Sequence, residues 1–190
     1  MTSYDNNLMW VDMLNVKVSV LGFAAASGTG KTTLLTQLIP ILKQNGLRIG
    51  LIKHSHHNFD IDQPGKDSFR LREAGASPVM LVSRYRRAII TELVPEQEPR
   101  LEDQLKQFDQ VELDLILVEG FKSEKFPKIE LHRSVLEQPL LYPNDPDIIA
   151  IATDVALKTP DYLMQLELNH PEMIAEFIQN HVMKNYARLM

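Results

Sequence analysis

One stretch of eight residues constrains this chain more than any other: Ala25-Ala26-Ser27-Gly28-Thr29-Gly30-Lys31-Thr32. It follows residues 16–23, where Val18, Val20, Leu21 and Phe23 leave little polar alternation and predict a buried strand. It opens a segment, 31–45, in which Leu34, Leu35, Leu38, Ile41 and Leu42 recur at helical spacing until Gly46. A strand, a small-residue loop and Gly-Lys-Thr at a helix start make the phosphate-loop pattern, with Ala25 where a first glycine usually sits. The residue types suit that chemistry. Gly28 and Gly30 let the backbone turn so that successive N–H groups face one anion, and the helix adds its positive end. Lys31 would neutralise β- and γ-phosphate charge, and Thr32 would offer a hydroxyl to Mg²⁺. The alternative is a plain turn between strand and helix, which the flanking elements disfavour.

The rest of the pattern alternates strands with helices. Strands are expected over 47–53, 113–118, 128–132 and 148–152, and helices over 67–74, 98–108 and 171–184. Residues 115–118 are wholly apolar, the mark of a strand covered on both faces. Two more strands, 78–83 and 88–92, are joined around Arg84–Arg87 and suggest an antiparallel pair. The expectation is an α/β domain, a three-layer sandwich around a largely parallel sheet with an added antiparallel element. Residues 1–16 read as a leading extension and 17–190 as one domain.

Composition narrows the function classes. The chain has 190 residues, a formal charge of −5 and no cysteine. A disulfide framework, a thiolate metal site and a cysteine nucleophile are thereby excluded. A broad basic field is lacking, so no nucleic-acid partner is expected. No apolar run nears the roughly 20 residues of a membrane span. Residues 1–16 carry Asp5 and Asp12 but no Lys or Arg, unlike a secretory signal, so a cytoplasmic location is expected.

Two carboxylates end apolar strands. Glu119, after Leu115-Ile116-Leu117-Val118, stands where an acid holds Mg²⁺ or its water, and Gly120 permits close approach of a phosphate. Its alternative is an acid facing water. Asp154, after Ile149-Ala150-Ile151-Ala152-Thr153, can accept from the N1–H and N2–H₂ of guanine, a donor pair that adenine lacks; the usual Asn-Lys ahead of it is absent. Capping of a turn is its alternative. The loop Lys53-His54-Ser55-His56-His57, with Asp60 and Asp62, admits nucleotide or magnesium contact, a transition-metal site, or a polar surface. If the strand continues, His56 and His57 point to opposite sides, so the three imidazoles cannot share one ion. Lys66-Asp67-Ser68 either holds an anion or caps the helix that follows.

Four segments together resemble the molybdopterin-guanine dinucleotide biosynthesis adaptor family, MobB. They are 23–35 around the loop, Gly50–His57, Pro64–Ser68 with Arg72 and Ala74-Gly75-Ala76, and Leu113–Lys122. That family carries Ala at the first loop position, as Ala25 does here, and a late strand-end Asp like Asp154. The resemblance implies a P-loop NTPase-like fold, GTP binding with weak Mg²⁺-dependent hydrolysis, a homodimer, and assistance to the guanylyltransferase that attaches GMP to molybdopterin. Carried onto this chain, it gives nucleotide contacts at Ser27, Gly28, Thr29, Gly30, Lys31, Thr32, Thr33, Lys53, His54 and Asp154. Thr32 and Glu119 would hold the metal, and Lys31 and Glu119 would serve any hydrolysis. Two rivals stand beside it: a small-molecule kinase, for which no acceptor base stands out, and a metal-delivery GTPase using His54, His56 and His57.

Overall fold

A computed structural model describes residues 16–55, 59–95 and 98–184. In chain order it holds β1 (Ser19–Ala25), α1 (Lys31–Gln44), β2 (Ile49–Lys53), α2 (Asp67–Glu73), β3 (Val79–Val82) and β4 (Arg87–Ile90). Then come α3 (Leu101–Leu105), β5 (Leu115–Glu119), β6 (Lys128–His132), β7 (Ile148–Thr153), β8 (Met164–Glu167) and α4 (Pro171–Phe177). The chain separates into two compact units: one of the described residues up to His54 with those from Arg100 onward, and one of Ser55–Pro99.

The larger unit is a six-stranded sheet in the order β2-β5-β1-β6-β7-β8, and every neighbouring pair is parallel. A parallel sheet needs a crossover between strands and buries both faces, and β5 shows this directly. Leu115 and Leu117 join the cluster formed with Leu34, Leu35, Leu38 and Leu42 of α1 and Ile174 and Phe177 of α4. Ile116 and Val118 point the other way, into a cluster with Val18, Val20, Phe126 and Leu101 and Leu105 of α3. Helices therefore cover both faces, and the sheet is the middle of three layers. Val16, placed by sequence at the end of the leading extension, is buried in the second cluster. Residues 1–15 lie outside the described ones.

The smaller unit carries α2 and the antiparallel hairpin β3–β4, in register from Val79 opposite Ile90 to Val82 opposite Arg87. Arg84 and Arg86 lie in its turn and Arg87 begins β4, so the three form an exposed hairpin end.

Several expectations are corrected. The helix expected over 98–108 spans only Leu101–Leu105. Pro99 disfavours helical backbone at Glu98, and the far end tightens into i→i−3 bonds, Gln107 to Gln104 and Phe108 to Leu105. The helix expected over 171–184 is α-helical to Phe177 and continues as a π-helical turn over Ile178–Met183. Neither Asp67 nor Ser68 caps α2: its first flanking residue is Lys66, and the Ser68 hydroxyl donates to Asp62. β8 is an edge strand the sequence did not reveal. Among the described residues, no helix is long and apolar enough to cross a membrane.

Candidate functional site

Because all six strands run the same way, their C-terminal ends share one edge of the sheet. In open α/β sheets this edge is where ligands bind, at the point where successive connections go to opposite sides. Here that point is β1. The chain crosses from β5 on one side of it to β6 on the other.

The loop after β1 is shaped by two left-handed residues, Gly28 at φ 78° and Gly30 at φ 98°. A side chain at either would be strained, and the space in front of both is open. Nothing lies within 4 Å of a Cβ built on Gly28, and for Gly30 the nearest atom is Arg133 Nη2, at 3.9 Å. The Thr29 hydroxyl donates to the Ala26 carbonyl (2.9 Å), so this buried side chain closes the loop from within and leaves its backbone N–H as the group that can serve a ligand. Gly30 precedes α1, whose first turn holds Lys31, Thr32 and Thr33. The first N–H groups of a helix have no partner inside it and carry its positive end. Ser27, Thr32 and Thr33 are exposed.

Four charged groups converge beside this loop. Phe23 of β1 and Lys53 of β2 both stand opposite Glu119 of β5, so that carboxylate emerges between the two neighbouring strands. The Lys53 ammonium lies 3.4 Å from Glu119 Oε2. Burial holds the Lys31 ammonium below its ordinary value; Glu119 opposes this, and Lys122 and Lys53 add to it. Open space in front of two glycines, cationic groups and one strand-end carboxylate, with the exposed Thr32 in the first turn of α1, are groups of the kind that suit a phosphate chain with a hard divalent cation.

His54 is fixed by its neighbours. Its N–H donates to the Glu119 carbonyl (2.8 Å), and its ring stacks on Phe121 at 4.7 Å between centroids. Between them Gly120 has φ 105°, and a Cβ there would stand 2.6 Å from His54 Cβ. The sequence reading gave Gly120 to phosphate approach; in the structure it is His54 that packs against it. His56 and His57 lie outside the described residues, and among the described residues no group of three His, Cys, Asp or Glu is disposed to hold a metal.

Asp154 follows β7 and faces back across the sheet. Its Oδ1 accepts from the Ser134 N–H (2.9 Å), which holds the carboxyl below its ordinary value. This caps the 3₁₀ turn Ser134–Leu136, in a different segment from the turn that follows Asp154 itself. Arg133 is the residue sequence reasoning missed. Its Nη1 is 3.7 Å from Asp154 Oδ2, and its Nε–H donates to the Thr29 carbonyl (3.3 Å). Beneath it lies a buried carboxylate, Glu130, accepting from the N–H groups of Leu141 and Tyr142 (2.8 Å each). Burial raises its pKa, against the pull of those two bonds.

In the smaller unit, Arg72 bridges Asp60 (2.6 Å) and Glu92 (2.8 Å), which ties the loop ahead of α2 to the residues just after β4. This assigns Asp60 and Arg72 a structural contact.

Comparison with known proteins agrees with this fold. The family model described as "Molybdopterin guanine dinucleotide synthesis protein B", MobB, matches residues 20–154. The chain is 46% identical over 168 residues to the molybdopterin-guanine dinucleotide biosynthesis adapter protein of Escherichia coli K12, covering 88% of this chain and 95% of that one. It is 45% identical over 172 residues to the protein of the same name from Haemophilus influenzae, covering 90% of this chain and 93% of that one. A crystal structure of molybdopterin-guanine biosynthesis protein B superposes with a TM-score of 0.64 at 26% identity, over 84% of this chain and 97% of that one. The P-loop NTPase-like α/β fold is shared with these solved proteins. The chain belongs to the MobB family.

Proposed function

We propose that this protein is an adapter in molybdopterin guanine dinucleotide biosynthesis that binds GTP with Mg²⁺, hydrolyses it slowly, and works as a cytoplasmic homodimer beside the guanylyltransferase that attaches GMP to molybdopterin. The adapter role rests on relatives that carry that name and match nearly end to end. The nucleotide reading rests on one observation: two left-handed glycines open onto free space at a helix start, with Lys31, Lys53 and Glu119 gathered beside them. Backbone N–H groups from Ser27 to Thr33 would hold phosphates, Lys31 would balance their charge, and Thr32 and Glu119 would hold the metal. Mg²⁺, when bound, neutralises charge on the phosphates. Among the described residues beside the loop none presents itself as an orienter of water, which supports slow turnover, well below the roughly 1–100 s⁻¹ of kinases.

A dimer has a candidate surface in the smaller unit. Met80, Leu81 and Val82 of β3, Ile89 of β4 and Tyr85 between them are exposed on a two-stranded hairpin. Such a hairpin is marginal alone, and an exposed apolar patch marks an interface.

Titration of GTP with Mg²⁺ into the wild type and Lys31→Ala tests the nucleotide reading. Lys31 is partly exposed at the first position of α1, so the variant should fold normally and lose most triphosphate affinity. Unchanged affinity would refute it.

A further inference from the structure

Arg133 joins three chain segments that are remote in sequence. The parallel register explains how. Leu131 stands opposite Ala25, so Arg133, two residues on, falls beside the glycine loop. His132 stands opposite Thr153, which sets Arg133 beside Asp154. Thr153 stands opposite Glu167, which brings up Asn169. The guanidinium reaches each: Nε–H to the Thr29 carbonyl at 3.3 Å, Nη1 to Asp154 Oδ2 at 3.7 Å, Nη2 to Asn169 Oδ1 at 3.4 Å. The next residue completes the hold, since the Ser134 N–H takes the other oxygen of Asp154.

We infer that Arg133 is a positioning residue for base selectivity, tying the Asp154 carboxylate to the backbone of the glycine loop and so fixing the distance between phosphate and base. The inference rests on the proposed reading of Asp154 as the group that meets guanine. A nucleotide spans a set length from phosphate to base edge, and discrimination requires that the acceptor oxygens stand where the donors arrive. A planar fork of five donors can hold three partners in one orientation, and a lysine ammonium cannot. Without Arg133, the Ser134 N–H still engages one carboxylate oxygen, but among the described residues no other contact links that carboxylate to the loop. GTP would then lose its advantage over ATP, while groups that meet only the phosphates would be unaffected.

The test compares GTP, ATP and inorganic pyrophosphate, each titrated with Mg²⁺ into the wild type, Arg133→Gln and Arg133→Lys. Pyrophosphate reports the loop alone. Arg133→Gln should weaken GTP about tenfold, the scale of one hydrogen bond to a charged group, and lower the GTP-to-ATP ratio by a similar factor. Pyrophosphate should stay within about twofold, and Arg133→Lys should not restore the ratio. If Arg133→Gln fails to fold, as judged by circular dichroism, Arg133→Lys carries the same comparison. Equal losses for all three ligands, or an unchanged GTP-to-ATP ratio, overturn the inference. A wild type that binds GTP and ATP alike overturns the reading of Asp154 beneath it, a result visible without any variant.

Discussion

The Lys53 ammonium stands 3.4 Å from Glu119 Oε2, across two neighbouring strands whose ends meet beside the glycine loop. The pair is half open to solvent on the lysine side, and such pairs contribute about 0–1 kcal/mol to stability. Its value therefore lies in charge at the site. Glu119→Gln should leave the unfolding midpoint in urea nearly unchanged. If Glu119 holds Mg²⁺ as proposed, the variant should lower Mg²⁺-dependent GTP hydrolysis more than it lowers GTP affinity, because charge at the metal would matter most as the transition state develops. Steady-state hydrolysis and equilibrium titration on the same preparation separate the two effects. A variant hydrolysing at the wild-type rate contradicts the assignment.

Asp154→Ala removes the acceptor for the Ser134 N–H as well as the proposed base contact. The GTP-specific part of its effect should be about 1–3 kcal/mol, the scale of hydrogen bonds to a charged group. Competition titration with ATP isolates that part. An equal loss for both nucleotides would show that Asp154 acts by holding the 3₁₀ turn alone.

Gly120→Ala meets two penalties at once. The backbone there is left-handed at φ 105°, and the added Cβ would stand 2.6 Å from His54 Cβ. Backbone in so sparsely populated a region costs a non-glycine residue about 1–3 kcal/mol before the clash is counted. Denaturant unfolding should show at least that loss. The ring stack of His54 on Phe121 should open as well, seen as a shift of the His54 ring protons in NMR. An undisturbed His54 signal would mean that the loop relaxes elsewhere.

Glu130 gives a pH dependence with a definite sign. Burial raises its folded pKa above the ordinary 4.5, so the folded state binds more protons than the unfolded state in the window above that value. Stability from this group is then present at low pH and falls as pH rises through the window. Glu130→Gln removes the titration. The stability of the wild type minus that of the variant, from urea unfolding between pH 4 and about 8, should fall with rising pH. A difference that rises with pH would reverse the assignment.

The sequence made the centre of the molecule legible and its margins less so. β1, the loop and α1 were readable because three signals agree: an apolar run, small residues and a helical period ending at Gly46. β5 was readable because four consecutive apolar residues need cover on both faces. β8 was not, since only Leu166 of its four residues is buried and an edge strand shows little apolar pattern. Glu119 was found because a strand-end acid is a pattern. Arg133 was not, because a single arginine after a strand carries no spacing signal. Its role arises from strand register, which brings residues 29, 133, 154 and 169 together. His54 was named from its loop, but its seat against Gly120 and Phe121 needed the backbone angles.

The position of β1 in the middle of a parallel sheet bears on how the chain is made. Both strands that flank it, β5 and β6, come from about a hundred residues later in the chain. At roughly 5–20 residues per second, a ribosome takes on the order of five to twenty seconds to deliver them. For that interval a strand that ends wholly buried has neither of its partner strands, and among the described residues α1 is the early element that packs on it, against Leu21, Phe23 and Ala25. The Leu34, Leu35, Leu38 and Leu42 stripe thus has a duty in time as well as in the finished core: it keeps a nascent strand from finding the wrong neighbour.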